Sequence, residues 1–196
     1  MKPTLLLVLC ATGCALLGKG DPQLSRYYTP EYDADAPKVP PRSDLQLRLG
    51  RVEGWSHLRE RMAERRSTRE LIYREDRRWT ERPEVYLRRA LSRTLFEERG
   101  VVESLSGRGF SLDVELIAFE EIEQPHLARM QALLVLRDDR LGLLEETITV
   151  EQPVAKGEEG QAVADAFSAA LHEGVTRIAD RVVGKLSGRE LRAGSR

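Results

Sequence analysis

The stretch FSLDVELIA, residues 110–118, decides the fold class of this 196-residue chain. Apolar residues take every second position, and the polar residues between them are Ser111, Asp113 and Glu115. An alternation with a period of two is typical of a strand that has one buried face and one wetter face. The chain must therefore supply other elements that cover one side of this strand.

Further strands are predicted on both sides of this stretch. Leucines alternate with other residues near position 45, and two apolar runs after position 129 are joined by an Asp- and Gly-containing turn. Such a turn favours an antiparallel pair. Residues 55–66 fit neither a strand nor a helix clearly. The predicted extended segments are 45–49, 69–74, 101–105, 130–137 and 143–150.

Two helices are predicted, at about 81–99 and 160–186. Thr80 and Pro83 suit the start of the first helix, and Gly100 suits its end. In the second helix, apolar residues recur at spacings of four and three, which gives a stripe that must pack on a sheet. We therefore expect an α/β fold, a single domain with a mixed β-sheet of about five to six strands covered by these two helices.

The first fourteen residues have the layout of an export signal. Lys2 gives a positive start, an apolar run follows, and small residues lead into Cys14. The run Ala11-Thr12-Gly13-Cys14 resembles the lipobox of bacterial lipoproteins, in which the signal is cut between Gly13 and Cys14 and Cys14 is then acylated. The apolar run has about 13 residues, fewer than the about 20 that a transmembrane helix needs. An ordinary cleaved signal peptide is the alternative.

The remaining sequence divides by composition. Residues 1–13 are the predicted signal peptide, and 14–43 are the lipidated cysteine with a Pro- and Gly-rich flexible tether. Residues 44–188 form the predicted domain, and 189–196 a tail. Fully stretched, the tether would span roughly 95 Å at about 3.3 Å per residue. A loop that folds back on the domain, or a short docking strand, is the alternative for the tether.

Charge excludes some partners. The formal net charge is −1, which gives no overall attraction to nucleic acid. An exported protein would also be separated from the nucleic acid of the cell. Residues 58–89 hold 11 arginines and 7 acidic residues. We interpret this arginine-rich stretch as a solvated, salt-bridged face; a contact with an acidic partner or with anionic head groups is the alternative.

No catalytic site is predicted. The three histidines are scattered, so we expect no metal site, and no nucleophile elbow, phosphate loop or dinucleotide fingerprint occurs in the sequence. Glu120, Glu121 and Glu123 could form an acid–base pair, but a solvated strand end explains them better. We expect a protein that is not an enzyme, with no cofactor. A hydrolase would instead need a carboxylate whose loss abolishes function without unfolding the domain.

Two short runs carry a resemblance to a known family. Tyr27-Tyr28-Thr29 follows the lipobox, and Arg78-Trp79-Thr80-Glu81-Arg82-Pro83 lies between a predicted strand and a helix. Together with the order of elements, they resemble the ABC-type transport auxiliary lipoprotein family. The resemblance implies a fold like the TolB N-terminal domain, a periplasmic location and, for some members, a homo-oligomer. Ala15 follows the cysteine in place of the Asp that favours the inner membrane, which indicates the outer membrane.

The function predicted from this resemblance is that of an adaptor. We expect a non-catalytic, outer-membrane-anchored accessory subunit of an intermembrane lipid-transport system, held to the membrane through acylated Cys14. Its expected partner is a periplasmic transport protein of the mammalian-cell-entry type. Tyr27, Tyr28 and Trp79 are the predicted partner contacts. A lipoprotein that regulates a cell-wall synthase through a TolB-like domain is the alternative.

Overall fold

The computed structural model of the protein describes residues 24–32, 37–105, 109–139, 141–157 and 159–193. The predicted signal peptide, its cleavage site after Gly13 and the predicted lipidation site Cys14 lie outside these residues.

The described chain forms eight strands and two long helices, with one π-helical turn after the first helix. This confirms the predicted α/β class, although the sheet has more strands than the five or six expected. The elements are β1 Arg26–Tyr28, β2 Arg42–Gly54, β3 Arg61–Arg65, β4 Leu71–Trp79, α1 Pro83–Arg93, the π-helical turn Thr94–Glu98, β5 Val101–Glu103, β6 Ser111–Ile122, β7 Leu127–Arg137, β8 Gly142–Pro153 and α2 Glu159–Ala193.

Strand β6, which contains residues 111–118 of the stretch FSLDVELIA, is the centre of the sheet. One of its edges pairs antiparallel with β7, which pairs antiparallel with β8. The first half of its other edge pairs parallel with β2, and the second half pairs parallel with β3. Beyond them, β4 pairs with β3, β1 pairs with β4, and β5 pairs with β2. The two strands beyond those predicted are the short edge strand β1 and strand β3.

Both helices lie on one face of the sheet, since they contact each other and their buried residues share one core cluster with the strands. The side chains of Leu45, Leu47, Leu112 and Leu116 point into this layer and are completely buried or nearly so. Burial of each such leucine contributes about 1.5–3 kcal/mol relative to an exposed one. We call the side with the helices the helix side and the opposite side the open face.

The start of α1 differs from the prediction. Arg82, with an extended backbone, precedes the first helical residue Pro83 and makes no capping hydrogen bond through its side chain. Thr80 therefore is not the cap, and its hydroxyl instead shares a 2.8 Å hydrogen bond with that of Tyr86. Gly100 is confirmed as the residue that ends this helical region, because its φ of 65° lies in the left-handed range that favours glycine.

The predicted flexible tether is shorter than its bounds of 14–43. Residues 24–32, which we call the N-terminal strap, include β1 and follow the edge of β4. Pro30 is buried, and the N–H of Val39 donates a 2.8 Å hydrogen bond to the carbonyl of Glu97. The docking-strand alternative is therefore the one that forms, because the free edge of β4 supplies backbone hydrogen-bonding groups and apolar side chains of the strap gain burial.

The C-terminal end of the described chain differs from the prediction in one further respect. The second helix continues to Ala193, so residues 189–193 of the predicted tail are helical. Among the described residues, none of the helices combines the length and the apolar character needed to cross a membrane.

Candidate functional site

The two tyrosines of β1 face different surroundings. Tyr27 is 62% exposed, whereas the ring of Tyr28 packs over Gly160 in the first turn of α2, where a side chain would have no room. The carbonyl of Tyr28 accepts a 3.0 Å hydrogen bond from the N–H of Thr80. Tyr28 thus fixes β1 to the domain. A partner contact by Tyr27 remains a prediction that its exposure permits.

Trp79 lies in the core. It is 1% exposed, and its ring packs against Phe167, Phe119 and Tyr86 at centroid distances of 5.0, 5.3 and 6.3 Å. The perpendicular approach of Phe167 is a geometry that aromatic pairs prefer. A partner could reach this ring only if the core opened, so the geometry assigns Trp79 to packing rather than to the predicted partner contact.

The rest of the strap crosses both helices. The N–H of Glu31 donates a 3.0 Å hydrogen bond to the hydroxyl of Ser168 on α2. The Tyr32 hydroxyl shares a short hydrogen bond with the hydroxyl of Thr94, next to α1, and its ring centre lies 5.6 Å from that of His172. Burial raises the pKa of Tyr32. The strap is therefore bonded to the sheet, to α2 and to the end of α1.

A group of buried charges lies on the helix side where β3, β4 and β6 meet. Arg77 is 3% exposed and Glu121 is 4% exposed. Arg77 Nη1 lies 3.4 Å from Glu121 Oε2, and Glu64 is held by Arg74 at 3.1 Å. His126 Nε2 lies 2.9 Å from Glu121 Oε1. We call Glu64, Arg74, Arg77, Glu121 and His126 the helix-side cluster.

A second group of charges lies on the open face. Arg65 donates two hydrogen bonds to Glu120, Nε to Oε1 at 2.6 Å and Nη2 to Oε2 at 2.8 Å. Arg129 Nη1 lies 3.6 Å from Glu120, and its Nη2 lies 2.7 Å from Glu151. Charges of alternating sign thus cross β3, β6, β7 and β8. We call Arg65, Glu120, Arg129 and Glu151 the open-face ladder.

These two groups correct the sequence interpretation of the acidic run. Glu120 and Glu121 are buried in ion pairs, and only Glu123 is exposed. The arginine-rich stretch is likewise not one solvated face, since it supplies Arg65 to the open-face ladder and Arg74 and Arg77 to the helix-side cluster.

The helix-side cluster is incompletely satisfied. Within the described residues, Arg77 Nε and Nη1 and Glu121 Oε2 are buried without a hydrogen-bond partner. Burial raises the pKa of Glu121, and the charge of Glu64 adds to this rise, whereas Arg77 and His126 oppose it. Because Glu121 is closed to solvent, its carboxylate is placed to hold Arg77 rather than to meet a substrate.

The remaining described residues offer surfaces that could bind a partner rather than a cluster of metal-binding side chains. Across these ranges, no group of three His, Cys, Asp or Glu side chains is arranged to hold a metal ion. The features that remain for recognition are surfaces: the exposed outer part of the strap, the open face, and a groove between β8 and α2.

The sequence matches no family model, and it matches no curated protein. Solved structures do share the fold. A Xanthomonas campestris protein described as a member of the family DUF330 is 17% identical, with a TM-score of 0.69 over 85% of this chain and 99% of its own. An uncharacterized protein is 12% identical, with a TM-score of 0.64 over 81% of this chain and 99% of its own.

A hypothetical protein from Chlamydia trachomatis is 10% identical, with a TM-score of 0.53 over 74% of this chain and 99% of its own. At such identities the likeness is one of fold. It extends over almost the full length of each of these three proteins.

Proposed function

We propose that this protein is a non-catalytic lipoprotein, anchored in the outer membrane through acylated Cys14, that serves as an accessory subunit of an intermembrane lipid-transport system. Its α/β domain faces the periplasm and docks on a transport protein of the mammalian-cell-entry type, in a system that also contains an ABC permease. The family resemblance of the sequence and the fold shared with the DUF330 protein of Xanthomonas campestris support this proposal.

The position of the strap is the observation that supports the proposed membrane anchor. Leu24, the first described residue, follows Cys14 by ten positions in the sequence, and β1 begins two residues later. The strap is bonded to the sheet edge and to both helical regions. A lipid on Cys14 would therefore be linked through a short segment to a fixed point on the domain.

The chain offers a matched pair of variants for testing the anchor. Cys14→Ala should leave an unacylated precursor or a soluble protein, whereas Cys10→Ala should keep the lipid, because only Cys14 follows the small residues of the lipobox. The measurements are mass spectrometry of the protein isolated from cells and membrane fractionation at high salt. Lipidation that survives in Cys14→Ala would refute the anchor.

The partner is tested by recovery of the protein from detergent extracts with its bound proteins. We expect a mammalian-cell-entry protein and the subunits of an ABC permease, identified by mass spectrometry. Recovery of a penicillin-binding protein without any transport subunit would instead support regulation of a cell-wall synthase and refute the transport role.

A further inference from the structure

The two ends of the sheet are protected from strand pairing to different degrees. Strand β1 at one end has three residues, and β5 on the edge of β2 also has three. Strand β8 at the other end has 12 residues and pairs only with β7 among the described strands. Short edge strands offer little backbone to another chain, whereas a long one is a template for pairing. The edge of β8 is therefore the place in the fold where a further strand can be added.

The hydrogen bonds of the structure show in which direction the backbone groups of each residue of β8 point. The N–H of Val154 bonds to the carbonyl of His126, so the even-numbered positions point towards β7. The carbonyl of Thr149 accepts a 3.4 Å hydrogen bond from Nη1 of Arg177 on α2, which places the odd-numbered positions at the outer edge. The outward residues are Glu145, Thr147, Thr149 and Glu151.

This edge forms one wall of a groove whose other wall is α2. The groove is lined by residues 146–149 of β8 and by Arg177, Asp180 and Arg181 of α2. Arg181 Nη2 lies 3.3 Å from Glu146, and more than half of the Arg177 and Arg181 side chains is exposed. An extended segment in this groove would bond to the backbone of β8 and place alternate side chains towards these arginines.

The charged side chains along the outer edge of β8 favour one kind of added strand over another. A second copy pairing antiparallel about Ile148, the centre of the edge, would set Glu145 opposite Glu151 twice, and like charges directly opposite are destabilising. A segment with a basic residue opposite Glu145 would instead form an attractive pair, and a basic residue opposite Glu151 would add a second positive charge to the carboxylate that Arg129 already binds. An acidic residue opposite Ile148 would face Arg177 and Arg181, since directly opposite residues of neighbouring strands share a face.

We propose that the outer edge of β8 and the facing side of α2 bind an extended segment of a partner protein as a ninth strand, with basic residues opposite Glu145 and Glu151 and an acidic residue opposite Ile148. The inference rests on the partner-docking half of the proposed function and does not involve the lipid anchor. A failure here would leave the fractionation and recovery experiments above unaffected, so the two proposals can fail separately.

The probe is the synthetic peptide Lys-Val-Thr-Glu-Thr-Val-Lys, which reads the same in both directions and therefore tests either strand orientation. Its binding to the purified full-length protein in detergent is followed by fluorescence anisotropy. The matched control peptide, Glu-Val-Thr-Lys-Thr-Val-Glu, reverses each charge and should bind about tenfold more weakly. Equal binding of the two peptides, or no binding of the first at millimolar concentration, would overturn the proposal.

A pair of variants tests the backbone contact. Thr147→Pro removes an outward N–H that β7 does not use, and proline is tolerated at such edge positions. We expect Thr147→Pro to have the melting temperature of the wild-type protein and to bind the Lys-Val-Thr-Glu-Thr-Val-Lys peptide about tenfold more weakly. Thr147→Ala keeps the N–H and should bind this peptide with the affinity of the wild-type protein. The same affinity in both variants would contradict strand addition. A protein dimer that Thr147→Pro dissociates would identify a second copy as the occupant and also overturn the proposal.

Discussion

Glu120 and Glu121 are neighbours in β6, and both are buried, but they lie on opposite faces of the sheet. Glu120 points to the open face, where Arg65 donates two aligned hydrogen bonds to it and Arg129 adds a second positive charge. Glu121 points to the helix side, where Arg77 lies within 3.4 Å but is not aligned for a hydrogen bond. Two buried carboxylates therefore differ in how well their guanidinium partners are aligned for hydrogen bonds.

Removal of Arg77 gives the largest effect that this comparison predicts. Arg77→Ala should lower the free energy of unfolding by about 3–5 kcal/mol, because it removes the guanidinium beside the buried Glu121 and leaves that carboxyl next to His126 and the acidic Glu64. Chemical denaturation measures the change. Arg69→Ala, which removes an exposed arginine of the same stretch, is the control and should have little effect. A loss below about 1 kcal/mol for Arg77→Ala would mean that the helix-side cluster contributes no more than a surface ion pair.

A smaller effect is expected on the open face. Arg65→Ala should cost about 1.5–3 kcal/mol, the contribution of hydrogen bonds to a charged group, since Arg129 remains near Glu120. Arg65→Lys keeps the charge but cannot donate two parallel hydrogen bonds, so it should lie between the wild-type protein and Arg65→Ala. Equal stability of Arg65→Lys and the wild-type protein would show that the charge alone, and not the two-bond geometry, stabilises the open-face ladder.

The smallest expected effect concerns pH. The pKa of Glu121 is raised in the folded protein, so its contribution to stability is fully present below the pKa of the unfolded chain and is lost as pH rises through the folded pKa. Glu121→Gln removes this loss, and its free energy of unfolding relative to the wild-type protein should increase as pH rises from about 4 to 7. Glu123→Gln, which removes an exposed carboxylate, measures the background. Parallel pH curves for wild-type protein and Glu121→Gln would contradict the raised pKa.

The class of fold could be predicted from the sequence because apolar and polar residues alternate clearly along the long strands. The leucines at 45, 47 and 49 and the apolar stripe of α2 are buried as their spacing predicts. The two buried glutamates escaped prediction for a local reason. The register of β6 shifts between Leu116 and Ala118, so the alternation that is clear before this point does not assign faces after it.

The strap was predicted only as an alternative to a flexible tether, for a different reason. Its three-residue strand is too short to show a period, and its prolines are typical of a linker. Tertiary contacts order the strap. Residues more than 50 positions away in the sequence supply these contacts: the free edge of β4, the narrow space over Gly160 and the hydroxyl of Ser168. Trp79 illustrates the converse, because an aromatic residue in a charged run suggests a surface contact until the core around it is known.

If the protein is anchored as we propose, the ordered strap limits how far the domain can lie from the membrane. With Cys14 acylated as we propose, the linker between the lipid and the strap would be the ten residues up to Leu24. Fully extended, this linker would measure about 35 Å, less than the roughly 40 Å diameter of a domain of this size. The domain would then remain close to the lipid surface and could not cross the periplasm. A partner that originates at the inner membrane would have to bridge most of that distance itself.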